Sequence, residues 1–375
     1  DLASKLTNDE IKELLFGTKY EVKENSKKLG TLTISLGEEK WQHSTFRKEI
    51  YAEGGAHFPI SVEFVNTVEE DAKRRDFTAN CVYYNILKDE YVDPFNGMQD
   101  IQKHLLRAIQ APDSVLQSDG QRILRMVRLA SELGFRIAGE TILSAYDNRE
   151  NLADITGARK NEELVAILNS SRRYKISKSN AYMFGLQMFN LLRLWPYFNA
   201  PVLKVRFALT SKVDEQYRMY ALIADIISTS KYKFSVSETV KDLLGPKGLA
   251  YPESKIESFK HVLCGYFDAL SKMDNKTFFM EYFDDYKIIS ALLAKKSKKL
   301  HKKYDFYYNY LKNNKIAIRI KDLKINGNDL KEHFPKLKDK FYKEYLTKLL
   351  DAVFDGLLKN EKKDLLEAVQ KLMMK

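Results

Sequence analysis

Two cysteines, Cys81 and Cys264, are all that 375 residues contain, too few for a disulfide framework or a cysteine metal cluster. Long apolar runs are missing as well. No stretch reaches the roughly eighteen residues that a membrane-spanning helix needs, and the first residues lack the basic-then-apolar order of a signal peptide. A reducing, cytoplasmic setting without a membrane partner is the expectation. Histidine is sparse and dispersed: His43, His57, His104, His261, His301 and His333 follow no metal-ligand spacing and suggest no His-Asp pair of a phosphohydrolase. Acid is the scarcer charge, 51 Asp and Glu against 62 Lys and Arg. The net charge of +11 and pI near 9.2 favour a polyanionic partner over an acidic protein surface. A lysine-rich proteome leaves the same totals, so charge alone does not choose between them.

What is present is material for a large interior. Hydrophobic residues make up 44% of the chain and aromatics 12%, and the length suggests two to four domains. Residues 1 to about 100 read as α/β. KLGTLTISL (28–36), ISVEFV (60–65) and NCVYYNIL (80–87) alternate as strands. TNDEIKELLF (7–16) carries an N-cap threonine, early acids and a helical apolar period. DPFNG (93–97) has the composition of a turn, and YAEGGAHFP (51–59) that of a mobile loop. Beyond residue 100 strand signals nearly vanish. QRILRMVRLASELGFRI (121–137) is a strong amphipathic helix with Gly134 as its stop, and NEELVAILNSS (161–171) and NAYMFGLQMFNLLRLW (180–195) follow it. The fold class is α+β, a small mixed sheet in front of a long helical array.

In DGQRILRMVRL (119–129), Arg122, Arg125 and Arg128 recur at every third position, while Ile123, Leu124, Met126, Val127 and Leu129 cover the opposite side. Such a pattern fits an exposed face with an ion pair worth a few tenths of a kcal/mol. It also fits base recognition. A fixed carboxylate accepts from an exocyclic amino group while a neighbouring guanidinium donates to a ring nitrogen. Cytosine and adenine present that pair; guanine and uracil present the reverse and leave buried groups unmatched. Arg125 and Arg128 then remain for a triphosphate.

Read together and in order, HSTFR (43–47), RRDFTANCVYYN (74–85), YVDPFNGMQDIQKHLLRAI (91–109) and SDGQRILRMVRLASELGFRI (118–137) closely resemble the class II nucleotidyltransferases. That family comprises bacterial-type CCA-adding tRNA nucleotidyltransferases and bacterial poly(A) polymerases. ITGARKNEEL (155–164) looks like its neck motif, and LKINGNDLKEHF (323–334) and LLDAVFDGLLKNEKKDLL (349–366) are similar to the tail of the tRNA enzymes. The resemblance implies transfer of CMP and AMP from CTP and ATP to the 3′ end of tRNA, with release of pyrophosphate and two magnesium ions held by acidic residues. It implies a base-pairing protein template in Asp119 and Arg122, nucleotide-binding positions at Arg125 and Arg128, and a nucleotide-contacting arginine at Arg75. Asp76 would brace the site and Asn80 reach the ribose. The segments expected are a nucleotidyltransferase head to residue 110, a neck over 111–172, a helical body over 173–290 and a tail over 291–375.

The sequence also departs from the family pattern. The family opens with a Gly-Gly turn and two metal-binding aspartates one residue apart; here Asp1 matches the second of that pair, so Asp1 is the expected metal ligand and catalytic carboxylate. The chain reads as a fragment whose own start lies upstream. Gln42 stands where many relatives have glutamate, and Ser118 and Gly120 flank Asp119 where they often have an acid and a larger residue. The basic run KKSKKLHKK (295–303) places Lys295, Lys296, Lys298, Lys299, Lys302 and Lys303 ahead of the aromatics in YDFYYNY, a pattern that suits an RNA backbone or a solvated helix face. A poly(A) polymerase, a specialised CC- or A-adding enzyme, and a catalytically inactive RNA-binding relative are the alternatives.

Overall fold

The computed structural model describes residues 1–51, 59–200, 207–229 and 235–374. It divides into two compact units, one built mainly from residues 1–207 and 241–252, the other mainly from 208–227 and 253–375.

The first unit opens on a four-stranded sheet ordered β1-β4-β3-β2: β1 Leu2–Ser4, β2 Glu21–Ser26, β3 Thr31–Leu36 and β4 Glu39–Thr45. β1 lies parallel to β4, and the other neighbours are antiparallel. Helix α1, Asn8–Leu15, starts as its sequence predicts. Thr7 accepts from the backbone of Glu10 while the Glu10 carboxylate accepts from that of Thr7, a reciprocal cap. Ile11 of α1 then packs on Leu32 and Ile34, the inward positions of β3. Strands β5 (Arg47–Ile50) and β6 (Ser61–Phe64) form a separate antiparallel pair. Most of the expected mobile loop at 51–59, and with it His57, lies outside the described residues.

The run 80–87 is not one strand. After helix α2, Val68–Ala72, a 3₁₀ turn takes Thr78–Asn80, and only β7, Tyr83–Asn85, is extended, paired with β8, Glu90–Val92. Local side-chain bonds override the alternation. Asn80 turns back to Asp76 at 2.9 Å, and the Asn85 side-chain oxygen accepts from the backbone of Leu87 and Lys88. DPFNG does more than turn: the Asp93 carboxylate accepts from the N–H groups of Gly97 and Met98 at 2.7 and 2.8 Å, starting helix α3, Gly97–Gln102.

A parallel pair missed by the sequence reading, β9 Leu105–Leu106 with β10 Arg136–Ile137, brackets helices α4 (Pro112–Ser118) and α5 (Gln121–Leu133). Gly134 ends α5 in the left-handed region at φ +69°, which glycine adopts without a Cβ clash. Helices α6 (Gly139–Asp147), α7 (Gly157–Leu168) and α8 (Ala181–Leu191) follow. Ile123, Leu124, Met126 and Val127 of α5 are fully buried, and α5 packs against α7 and α8. The arginine face of the helix is therefore turned away from the core.

The second unit is helical among its described residues. Phe278, Phe279, Tyr286, Tyr304 and Tyr308 form its aromatic centre, with ring centroids 4.5 to 6.3 Å apart. A second cluster gathers Leu330, Leu349, Leu350, Val353, Leu365 and Val369 from the C-terminal helices. The C-terminal segment carries two helices, Tyr342–Phe354 and Lys362–Met373, parted near Gly356. His261 bonds Asp285 at 2.7 Å and Glu281 at 3.3 Å, partners 24 and 20 residues away that spacing does not reveal. No helix among the described residues is long and apolar enough to cross a membrane.

Candidate functional site

Arg74, Arg75 and Asp76 follow α2 and reach out in two directions. Arg74 Nε donates to Asp71 Oδ1 at 2.9 Å, and Arg75 Nη2 to Asp71 Oδ2 at 3.3 Å. Asp71, itself buried, also accepts from the Tyr83 hydroxyl at 2.7 Å and the Arg47 backbone at 3.2 Å. Burial opposes its ionisation, but Arg74, the Tyr83 hydroxyl and Arg75 outweigh that and hold its pKa below the ordinary value. Arg75 is steadied further by the carbonyl of Asn80 at 3.2 Å and by the Tyr83 ring, 4.8 Å from its guanidinium.

Asp76 points the other way, to α5. Its Oδ2 accepts from Arg125 Nε at 2.7 Å, and its Oδ1 accepts from the side chain of Asn80 and the backbone of Phe77. Burial would raise its pKa; Arg125 and the Asn80 amide reverse that, so it is held ionised with a lowered pKa. This is why charges stand at the start of RRDFTANCVYYN: they fix the loop to α2 on one side and to α5 on the other.

One turn before Arg125, Arg122 makes a different set of bonds. Its terminal nitrogens donate to the carbonyls of Arg74 at 2.9 Å and Val115 at 3.2 Å, and its guanidinium lies 5.6 Å from the Tyr51 ring. Tyr51 donates to Glu49 at 2.5 Å, and Glu49 in turn receives Arg47 Nε at 2.6 Å. Asp119 caps the junction of α4 and α5, its Oδ1 accepting from the backbone of Gln121 at 2.8 Å. Gly120 beside it is a packing requirement, since a Cβ there would come within 2.5 Å of the Asn151 carbonyl oxygen.

These residues open on one cavity of about 990 Å³, lined among others by Asp1, Arg75, Asn80, Asp119, Arg122 and Arg125. Six arginines and four acids share its lining, a surface suited to a polyanion. The structure thus brings together six of the seven positions singled out for nucleotide and metal, and leaves out Arg128. Arg128 donates to Glu163 at 2.7 Å and Glu132 at 3.0 Å and faces a separate depression with Glu162, Arg172 and Arg173. It reaches the cavity only through a relay: Glu163 accepts from Gln121, whose oxygen accepts from Arg159, and both Gln121 and Arg159 line the cavity. The sequence reading gave no site role to Glu49, Tyr51, Arg74, Gln121 and Arg159, although Arg74, Gln121 and Arg159 lie inside the quoted motifs RRDFTANCVYYN, SDGQRILRMVRLASELGFRI and ITGARKNEEL.

Asp1 immediately precedes β1, across from Gln42 by the register that pairs Leu2 with His43. Both line the cavity. Among the described residues, no group of three His, Cys, Asp or Glu side chains is gathered to hold a metal ion. The six lysines of 295–303 are all exposed, at the end of helix Tyr286–Lys296 and the start of helix Lys298–Asn313 in the second unit.

Two family models match the chain: the poly A polymerase head domain over residues 1–107, and a putative tRNA nucleotidyltransferase domain 2 over residues 247–369. A CCA-adding enzyme of Ligilactobacillus salivarius is 28% identical over all of this chain and 88% of its own length. One from Staphylococcus aureus is 26% identical over 98% of this chain and 88% of its own length. One from Lactobacillus helveticus is 38% identical over 36% of this chain and 34% of its own length. Among solved structures, the Bacillus stearothermophilus CCA-adding enzyme in complex with CTP shares the fold at a TM-score of 0.75, with 20% identity over 99% of this chain and 88% of that one. A CCA-adding enzyme in complex with ATP does so at 0.69, with 18% identity, all of this chain and 86% of that one.

Proposed function

We propose that the chain is a class II nucleotidyltransferase, as the head-domain and tRNA nucleotidyltransferase matches and the full-length CCA-adding relatives support, and that it adds CMP and AMP, drawn from CTP and ATP, to the 3′ end of tRNA. The observation that carries this reading is that Asp119 and Arg122 open on the same cavity as Arg75. The Asp119 carboxylate accepts from the exocyclic amino group shared by cytosine and adenine, and Arg122 donates to the ring nitrogen beside it. Uracil and guanine meet acceptor with acceptor and donor with donor, a mismatch of several kcal/mol once water is excluded.

Arg75 and Arg125 supply positive charge for the triphosphate. Each is aimed by a buried aspartate, Asp71 for Arg75 and Asp76 for Arg125, so that their orientation is set before substrate arrives. Asn80 serves the same brace and faces the sugar. Arg128 acts at one remove, holding Glu163 and through it Gln121. The RNA 3′-hydroxyl attacks the α-phosphorus, one P–O bond forms, and pyrophosphate departs as the other breaks.

Magnesium is the family's cofactor, and Asp1 is the residue assigned to it here. Among the described residues no group of three His, Cys, Asp or Glu side chains gathers around Asp1, which does not match a two-ion site. The exposed lysines of 295–303 are assigned to the RNA backbone, in a cytoplasmic setting.

The test is a tRNA transcript lacking its 3′-terminal CCA, offered CTP alone, ATP alone, or both, with the products sequenced. Two cytidines from CTP and a complete CCA from both nucleotides are expected. Long adenosine tracts from ATP alone would instead assign a poly(A) polymerase, and binding without extension an RNA-binding protein.

A further inference from the structure

The hairpin of β7 and β8 carries apolar surface that base and phosphate recognition do not use. Tyr84 stands opposite Tyr91 in the ladder, their ring centroids 5.3 Å apart, and the Tyr84 hydroxyl donates to Asp89. The connecting turn is pinned by the two bonds that the Asn85 side chain accepts, from Leu87 and Lys88. Both rings are therefore fixed in place while half or more of their surface is exposed, 50% for Tyr84 and 64% for Tyr91. Ile86 and Leu87 at the tip are 70% and 97% exposed. Among the described residues the two strands pair only with each other. A contiguous apolar face kept rigid in water marks a contact surface.

Its position identifies the occupant. Tyr83, Tyr84 and Ile86 line the cavity that holds Arg75 and Arg122, while Leu87 and Tyr91 lie outside that lining. The hairpin is thus one wall of the cavity, continued outward by the second tyrosine. An RNA end that presents its 3′-hydroxyl to a nucleotide on Arg75 runs its last unpaired bases along such a wall. Unpaired bases are held by stacking on aromatic faces, without regard to which base is present. That tolerance suits an acceptor whose terminal base changes with each addition.

We infer that the Tyr84–Tyr91 pair is the stacking platform for the unpaired 3′-terminal bases of the acceptor RNA. This rests on the nucleotidyl-transfer reading above and extends it to the second substrate. The full chain is titrated with a fluorescent single-stranded RNA matching the 3′ end of a tRNA that lacks CCA, and separately with CTP. Tyr91→Ala weakens RNA binding about ten-fold, Tyr91→Phe keeps it, and CTP affinity is unchanged in both, which also reports intact folding. Unchanged RNA affinity in Tyr91→Ala overturns the inference, as does a parallel loss of CTP and RNA affinity. A dimeric parent made monomeric by Leu87→Ser, with RNA affinity retained, assigns the patch to a second copy and overturns it equally. A parent that binds neither CTP nor RNA removes the nucleotidyl-transfer reading itself, and this inference with it. A parent that binds both while Tyr91→Ala matches it removes only the platform.

Discussion

Arg122 and Arg125 sit one turn apart on α5 and make opposite use of the same side chain. Arg125 is clamped to the buried carboxylate of Asp76, an ion pair that ties α5 to the loop after α2. Arg122 holds two main-chain carbonyls and the face of Tyr51. A carbonyl fixes direction without cancelling charge, so Arg122 keeps its positive field for whatever enters the cavity. In Arg125 the field is largely matched by Asp76, and the gain is rigidity. Two arginines with the same local sequence environment thus differ because of what lies across from them, chiefly Arg74 and Tyr51 for Arg122 and Asp76 for Arg125, 48 to 71 positions earlier.

The sharpest way to break this contrast is Asp76→Ala. It strands Arg125 against a buried wall and should cost about 3 kcal/mol, the low end for broken buried pairs because Arg125 keeps some contact with solvent; urea denaturation measures it. The same pair sets an acid limit. Asp71 and Asp76 have folded pKa values below the ordinary 3.8, so their stabilisation is complete above about pH 4 and is lost as pH falls through the lower folded values. The denaturation midpoint of the parent should fall over that range, and that of Asp76→Asn should fall less.

Asp119→Ala probes the other side of the contrast. Losing the cap on Gln121 should cost about 1 kcal/mol of stability, while preference for CTP and ATP over UTP and GTP, read as ratios of kcat/KM, should shrink roughly 100-fold. Selectivity unchanged in that variant would move base reading away from α5. Weaker again is the effect expected in the second unit: under the proposed RNA assignment, Lys302→Gln should flatten the dependence of log affinity on log salt by about 0.7 to 0.9, the share of one phosphate contact. Smallest is Thr7→Ala, which opens the cap of α1 at a cost of about 1 kcal/mol, far from either arginine.

The helices were legible from sequence because their signals are local. Thr7 with Glu10 and Gly134 each lie within one turn of the boundary they set. The strands were legible where they alternate, as in β3, and lost where side chains compete with the ladder, as Asn80 and Asn85 do. In the site, motif residues announced themselves, and their partners did not. Glu49 and Tyr51 act on Arg122 across more than 70 positions, and no spacing rule reaches that far. Arg128 shows the converse. Its period on the helix matches Arg122 and Arg125, but Glu132 and Glu163 capture it.

Gly120 gives the turn that carries Asp119 a hard stop. Main chain from the 151 region rests where its side chain would be, and neither backbone has a rotamer through which to yield. Alanine there is a wedge driven behind Asp119, displacing its carboxylate by tenths of an ångström. Under the proposed base reading, the penalty should fall on which nucleotide is accepted before it falls on whether the protein folds, since the buried side of α5 is left as it was.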